Sequence, residues 1–170
     1  RGVSDYTYDT DEEHAWTFIL FNRVENAWAR DLVTEHFGFG AVRIERFAKW
    51  VTVRDSQCLD PVSRTTGSRR YSFYITGQLS LVYNCYSRYA RHDYGLNVLS
   101  YGPNAFVNCE SEFSFNDSGP HHRWATGALF DNVRISGNGI NLRNRGNMGS
   151  GHGWAGANMV LWNCEADTMI

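Results

Sequence analysis

The sequence predicts an all-β solenoid, a parallel β-helix of stacked coils about 24 residues long, and three observations carry that expectation. An Asn or Asp follows a short apolar run at Asp31, Asp55, Asn84, Asn108, Asn132 and Asn163, spaced by 24, 29, 24, 24 and 31 residues, which is one 24-residue unit with insertions of five and seven. The residues on either side of each marker fall into the same columns in every unit. Within those columns, apolar or small positions alternate with mixed or polar ones at period two, the signature of a strand.

The elements follow coil by coil. Two residues before the markers stand Ala29, Val53, Val82, Phe106, Phe130 and Leu161, all apolar, so a strand with this column turned inward precedes each marker. One residue after come Leu32, Ser56, Cys85, Cys109, Val133 and Cys164, and two further on come Thr34, Cys58, Ser87, Ser111, Ile135 and Ala166, so a second strand follows each marker. The markers themselves sit at bends. They are expected to form an inward Asn/Asp ladder whose side chains satisfy turn amides and one another, a structural role and not a catalytic one. Val24, Ala27, Trp28 and Leu32 have the i, i+3, i+4, i+8 spacing of an amphipathic helix. The same stretch fits every column of the repeat, so a strand is expected there instead. The whole chain, 1–170, reads as a single solenoid domain.

Composition excludes several classes. With 16 basic residues against 18 acidic ones and a formal charge of −2, the chain lacks the cationic excess of a nucleic-acid binder. No apolar run is long enough to span a membrane. Fifteen Arg stand against the single Lys49, which favours planar two-pronged anion contacts over diffuse attraction. The chain begins at Arg1-Gly2 without a Met or the zones of a signal peptide and reads as a piece of something longer, with uncapped coils that invite end-to-end association into a homo-oligomer. Cys58, Cys85, Cys109 and Cys164 show no metal-ligand spacing. Free, stacked thiols are the favoured reading, although Cys85 and Cys109 fall within bonding reach of each other on neighbouring coils.

The polar residues that break the repeat concentrate in the last third, which also holds nine of the 16 Gly. Two stretches stand out: Gly119-Pro120-His121-His122-Arg123-Trp124-Ala125-Thr126-Gly127, and Asn144-Arg145-Gly146-Asn147-Met148-Gly149-Ser150-Gly151-His152-Gly153-Trp154-Ala155-Gly156. His121 and His152 each lie eleven residues before a marker. If the seven-residue insertion precedes His152, the two stack; if it follows, Arg145 takes that place. His, Arg, Trp and Asn on stacked coils suit an acidic sugar. Arg123, Arg143 or Arg145 would bind a uronate carboxylate and acidify the C5 proton, His121, His122 or His152 would transfer that proton, and Trp124, Trp154 and Asn147 would hold sugar rings. Arg88, Arg91, His92 and Asp93 could continue the groove. The pair of carboxylates that hydrolysis requires is not apparent near the histidines, where the closest acids in sequence are Glu110, Glu112, Asp117 and Asp131. No metal and no cofactor is expected.

The 24-residue coils, the Asn ladder and the stacked Cys and aliphatic columns resemble the right-handed, single-stranded parallel β-helix of the pectin-lyase-like superfamily over essentially the whole chain. The two His/Gly/Trp stretches also resemble segments of secreted bacterial β-helix proteins of unassigned or polysaccharide-related function. Gly151-His152-Gly153 is similar to the Gly-His-Gly element of polygalacturonases. Their Asn-Thr-Asp, Asp-Asp and Arg-Ile-Lys elements are absent, with only Arg134-Ile135-Ser136 near the last, and the calcium-binding carboxylates of pectate lyases are not recognisable. The resemblance implies an extracellular or periplasmic setting and an acidic polysaccharide as ligand. The resulting expectation is a fragment of a carbohydrate-active protein working by β-elimination. The alternative is a non-catalytic glycan-binding or structural solenoid, such as an adhesin or a tailspike-like segment.

Overall fold

The computed structural model describes residues 12–170, so Arg1 and Gly2 lie outside the described residues. The chain runs through β1 (Thr17–Phe21), β2 (Glu25–Arg30), β3 (Val33–Glu35), β4 (Gly40–Ile44), β5 (Lys49–Arg54), β6 (Gln57–Leu59), β7 (Tyr71–Ile75), β8 (Ser80–Tyr83) and β9 (Tyr86–Arg88). It continues through β10 (His92–Leu96), β11 (Asn104–Val107), β12 (Glu110–Glu112), β13 (Gly119–Pro120), β14 (Ala125–Asp131), β15 (Arg134–Ile140), β16 (Gly156–Trp162) and β17 (Glu165–Met169). Among the described residues there is no helix, and so none long and apolar enough to cross a membrane.

Successive strands go to three sheets in turn. The first sheet is ordered β1-β4-β7-β10-β13, the second β16-β14-β11-β8-β5-β2 and the third β17-β15-β12-β9-β6-β3. Every strand pairing is parallel. The fold is therefore all-β, built from three parallel sheets, and compatible with a β-helix. The sequence repeat is the pairing register itself: Ala29, Val53, Val82, Phe106, Phe130 and Leu161 are consecutive partners across the second sheet. Thr34, Cys58, Ser87, Ser111, Ile135 and Ala166 are consecutive partners across the third. The segment with helical spacing is strand β2, because an inward Ala27 and Ala29 must meet Val51 and Val53 of the next coil.

Both columns face one core, where Phe106 stacks on Phe130 at 5.0 Å and Val53, Val82 and Ile75 are almost fully covered. All four cysteines are free. Cys85 and Cys109 turn inward and donate to the carbonyls of Tyr83 and Val107 at 3.4 Å, which is the stacked-thiol arrangement.

The marker column differs from expectation in one respect. The bend is there, since Asp31, Asp55, Asn84, Asn108, Asn132 and Asn163 all adopt left-handed backbone with φ of 49–57°. The ladder is there too: Asn84 Nδ2 donates to Asp55 Oδ1 at 2.6 Å and Asn132 Nδ2 to Asn108 Oδ1 at 2.8 Å. Its side chains, however, face outward and none of the six is buried. A left-handed residue between two strands rotates its own side chain off the inward alternation, so these residues are chosen for tolerating positive φ more than for satisfying core amides.

The two insertions occupy connections at the first sheet. The five-residue one lengthens the segment 60–70 between β6 and β7, and the seven-residue one lies in the segment 141–155, which runs from β15 to β16 where a further first-sheet strand would otherwise lie. The two long connections therefore flank one face of the same sheet.

Candidate functional site

A pocket of about 580 Å³ opens on the outer side of the first sheet, between those two connections. Arg43, Tyr74, Gly95 and Gly119 are consecutive partners across β4, β7, β10 and β13, two large side chains followed by two absent ones. Gly119 has no substitute, because at φ of +113° a Cβ would lie 2.7 Å from the Asn141 carbonyl oxygen. Phe39, Tyr71 and Tyr74 form an aromatic cluster with Trp16 on one side, with Phe39 and Tyr71 stacked at 5.1 Å. His121, His122 and His152 close the opposite side, with Gly149 and Ser150 from the longer insertion and Gly67 and Ser68 from the shorter.

The imidazoles form a row across three coils. Tyr71 pairs in register with His92, and their rings lie 4.7 Å apart. His92 is 4.4 Å from His121, His121 is 4.8 Å from His152, and His122 is 4.1 Å from His152, ring centre to ring centre. The insertion falls between Asn141, which still bonds Asp117 24 residues back, and Gly156, which pairs with Ala125 at 31, and the rings of His121 and His152 meet at a separation of 31, so it precedes His152. The stacked alternative for His121 and His152 is thus the arrangement found, and all three histidines expected to transfer protons meet in one place.

Beneath the row lies a buried ion pair. Arg145 donates through Nη2 to Asp117 Oδ2 and through Nε to the Pro120 carbonyl at 3.2 Å, and Asn141 Nδ2 donates to the same carboxylate oxygen at 3.0 Å. His92 Nδ1 contacts the carbonyl oxygen of Asp117. A carbonyl only accepts, so Nδ1 carries the hydrogen and the lone pair sits on Nε2, which is buried without a partner.

The electrostatics keep every imidazole in the row neutral at pH 7. Burial, with Arg91 adding to it, pushes His92 down to about 3. Burial, reinforced by the neighbouring His92 and Arg145, pushes His121 down to about 2. His122 and His152 are lowered first by burial and then by a neighbour whose positive charge would repel theirs, His152 in its protonated form for the first and Arg145 for the second. Tyr71 moves the other way: burial raises its phenol while Arg91, whose Nη1 lies 3.5 Å from the hydroxyl, opposes the rise. The pocket therefore holds unprotonated bases beside a protonated hydroxyl, with Arg91 and the Glu45-paired Arg43 as its guanidinium groups.

The other nominated residues lie outside the pocket lining. Arg145 is buried and committed to Asp117 and Pro120, so its fork supports the site from below and does not reach a ligand. Arg123 donates to the Gly151 carbonyl and, with Trp124, Val98 and Leu99, lines a separate apolar depression of about 310 Å³. Arg143 approaches Met148 Sδ at 4.0 Å, and Asn147 and Trp154 are exposed on the long connection. Conversely, Tyr71, Tyr74, Arg43, Arg91 and Trp16 line the pocket although no spacing singles them out together; the sequence marks Arg91 and His92 only as an extension of the groove.

Among the described residues, two sets of side chains bring three ligand atoms within 4.8 Å of one another: His121, His122 and His152, and His92, Asp117 and His121. The chain matches no family model, no curated protein and no solved structure.

Proposed function

We propose that the chain is a right-handed parallel β-helix of the pectin-lyase-like type, working outside the cytoplasm, that binds an acidic polysaccharide in the histidine-lined pocket and cleaves it by β-elimination. One observation carries the reading: neutral imidazoles, a protonated phenol and two guanidinium groups, one of them paired with Glu45, line a single pocket, and among the described residues no Asp or Glu belongs to its lining. A glycosidase would need two carboxylates there.

In this reading Arg91 binds the uronate carboxylate and makes the C5 proton more acidic, with Arg43, already paired to Glu45, beside it. His122 or His152 takes that proton. The C5–H electron pair becomes the C4–C5 double bond as the C4–O bond breaks, and Tyr71, held protonated, returns a proton to the departing oxygen. The volume lies within the range of ordinary ligand pockets. The test is the ultraviolet absorbance of an unsaturated uronate on incubation with alginate, pectate, glucuronan and chondroitin or dermatan sulfates. A rise that is lost in His122→Ala, His152→Ala and Arg91→Ala supports elimination, and no rise on any glycan rejects it.

The competing reading, a non-catalytic glycan-binding or structural solenoid, draws on a different observation. Trp28, Trp124, Trp154 and Trp162 are each more than half exposed and lie outside the pocket, as flat platforms for sugar rings. Glycan binding that survives Arg91→Ala and falls in Trp124→Ala, without product, selects that reading.

A further inference from the structure

We infer that His121, His122 and His152 form a three-imidazole site for one divalent cation of the zinc class, with a fourth coordination position facing the pocket. The inference stands on ligand geometry and does not need the glycan reading. One nitrogen from each ring lies within 4.8 Å of the other two. Tetrahedral Zn²⁺ with bonds of 2.0–2.1 Å places its ligand nitrogens about 3.3 Å apart, so the rings close by at most about 1.5 Å. Two of the three rings carry a buried nitrogen with no hydrogen-bond partner, His121 Nδ1 and His152 Nδ1, and an uncompensated buried polar atom is costly.

The ligand type selects the ion. Three imidazoles with no carboxylate suit Zn²⁺ and its neighbours Co²⁺, Ni²⁺ and Cu²⁺, and are poor for Ca²⁺ or Mg²⁺, which require oxygen. The other set, with His92 and Asp117, is excluded because Arg145 and Asn141 already hold that carboxylate and the pair is sealed from the pocket. Gly149 fixes the third ligand: a Cβ there would lie 2.3 Å from His152 Cε1, so its absence lets the ring sit against the chain. The open position would take water or a ligand carboxylate. An imidazole that holds an ion cannot also take a proton, so saturating Zn²⁺ would silence an elimination run by these histidines.

The test reads binding alone. The full chain, freed of metal with a chelator, is titrated with ZnCl₂ by calorimetry and with Co²⁺ by visible absorption. One ion per chain is expected, with affinity falling by about 100-fold or more in His122→Ala and in His152→Ala. His122 is partly exposed, so its removal costs the least packing. Should both variants misfold, imidazole ¹⁵N spectra of the unmodified chain decide, since Zn²⁺ must shift His121, His122 and His152. Absence of binding at millimolar Zn²⁺, binding unchanged in the folded variants, or shifts confined to other histidines would each overturn the site.

Discussion

Arg145 and Asp117 form an ion pair with side chains only 2% and 3% exposed, seated directly under the histidine row although 28 residues separate them. Removing one partner leaves a buried charge without compensation. Arg145→Ala is expected to cost about 3–5 kcal/mol in chemical denaturation. A paired Arg145→Met, Asp117→Leu variant should be less destabilised than either single change, because both desolvation costs disappear together.

The histidines should make the fold acid-sensitive. Their protons are disfavoured in the folded chain, so the stability they contribute is present above the ordinary histidine range near pH 6.5 and is lost as pH falls toward about 3 for His92 and about 2 for His121. Each histidine accounts for up to about 1.4 kcal/mol per pH unit in that window. Asp117 has the same sign: burial opposes its ionisation but the Arg145 hydrogen bond and charge prevail, so its contribution is also lost in acid. Denaturant midpoints at pH 7, 6 and 5 should fall steadily, and His121→Gln should flatten the decline.

Asp93 carries the opposite sign. It lies inside the coils, where Oδ1 accepts from Ser87 Oγ at 2.6 Å and Oδ2 from Ser114 Oγ at 2.5 Å, and burial raises its pKa despite those bonds. Its contribution is present below the ordinary aspartate range and fades as pH rises through the elevated folded value. Asp93→Asn should remove this part of the pH dependence and change stability by about 1 kcal/mol or less, whereas Asp93→Ala should cost about 1–3 kcal/mol by removing the acceptor of two buried hydroxyls, Ser87 and Ser114, which keep only Ser72 and Ser111 as partners. Thermal melts across the acid range compare the three.

The outward ladder yields a prediction about backbone. Asn132, at φ of 53°, both bends the chain and donates to Asn108 Oδ1. Asn132→Val should cost about 2 kcal/mol because a branched side chain resists that conformation. Asn132→Gly keeps the bend and loses only exposed ladder bonds, the one to Asn108 and the long 3.5 Å one accepted from Asn163, so it should cost less than Asn132→Val by thermal denaturation.

The repeat was legible because each coil must place the same kinds of residue at the same depth. Phe106, Val82 and Phe130 occupy one column in sequence and one row of pairings in space. The outward turn of the markers was not legible, since an Asn that tolerates left-handed backbone and an Asn that satisfies a core amide look the same in a sequence. The three histidines were found by their departure from the repeat. Six companions nominated with them, Arg123, Trp124, Arg143, Arg145, Asn147 and Trp154, neighbour them along the chain but do not line the pocket with them.

What the sequence determined by itself was the strand pattern, the two insertions and the two inward columns that flank the markers, all of which follow from periodicity along one chain. Only the tertiary structure decided that Tyr71, His92, His121 and His152 share a row, because they are separated by 21, 29 and 31 residues, none of which is the 24-residue period. Connections of unequal length absorb the difference before each segment reaches the first sheet. Neighbours there are set by parallel pairing across coils and by the ion pair beneath, interactions between segments that no local spacing records.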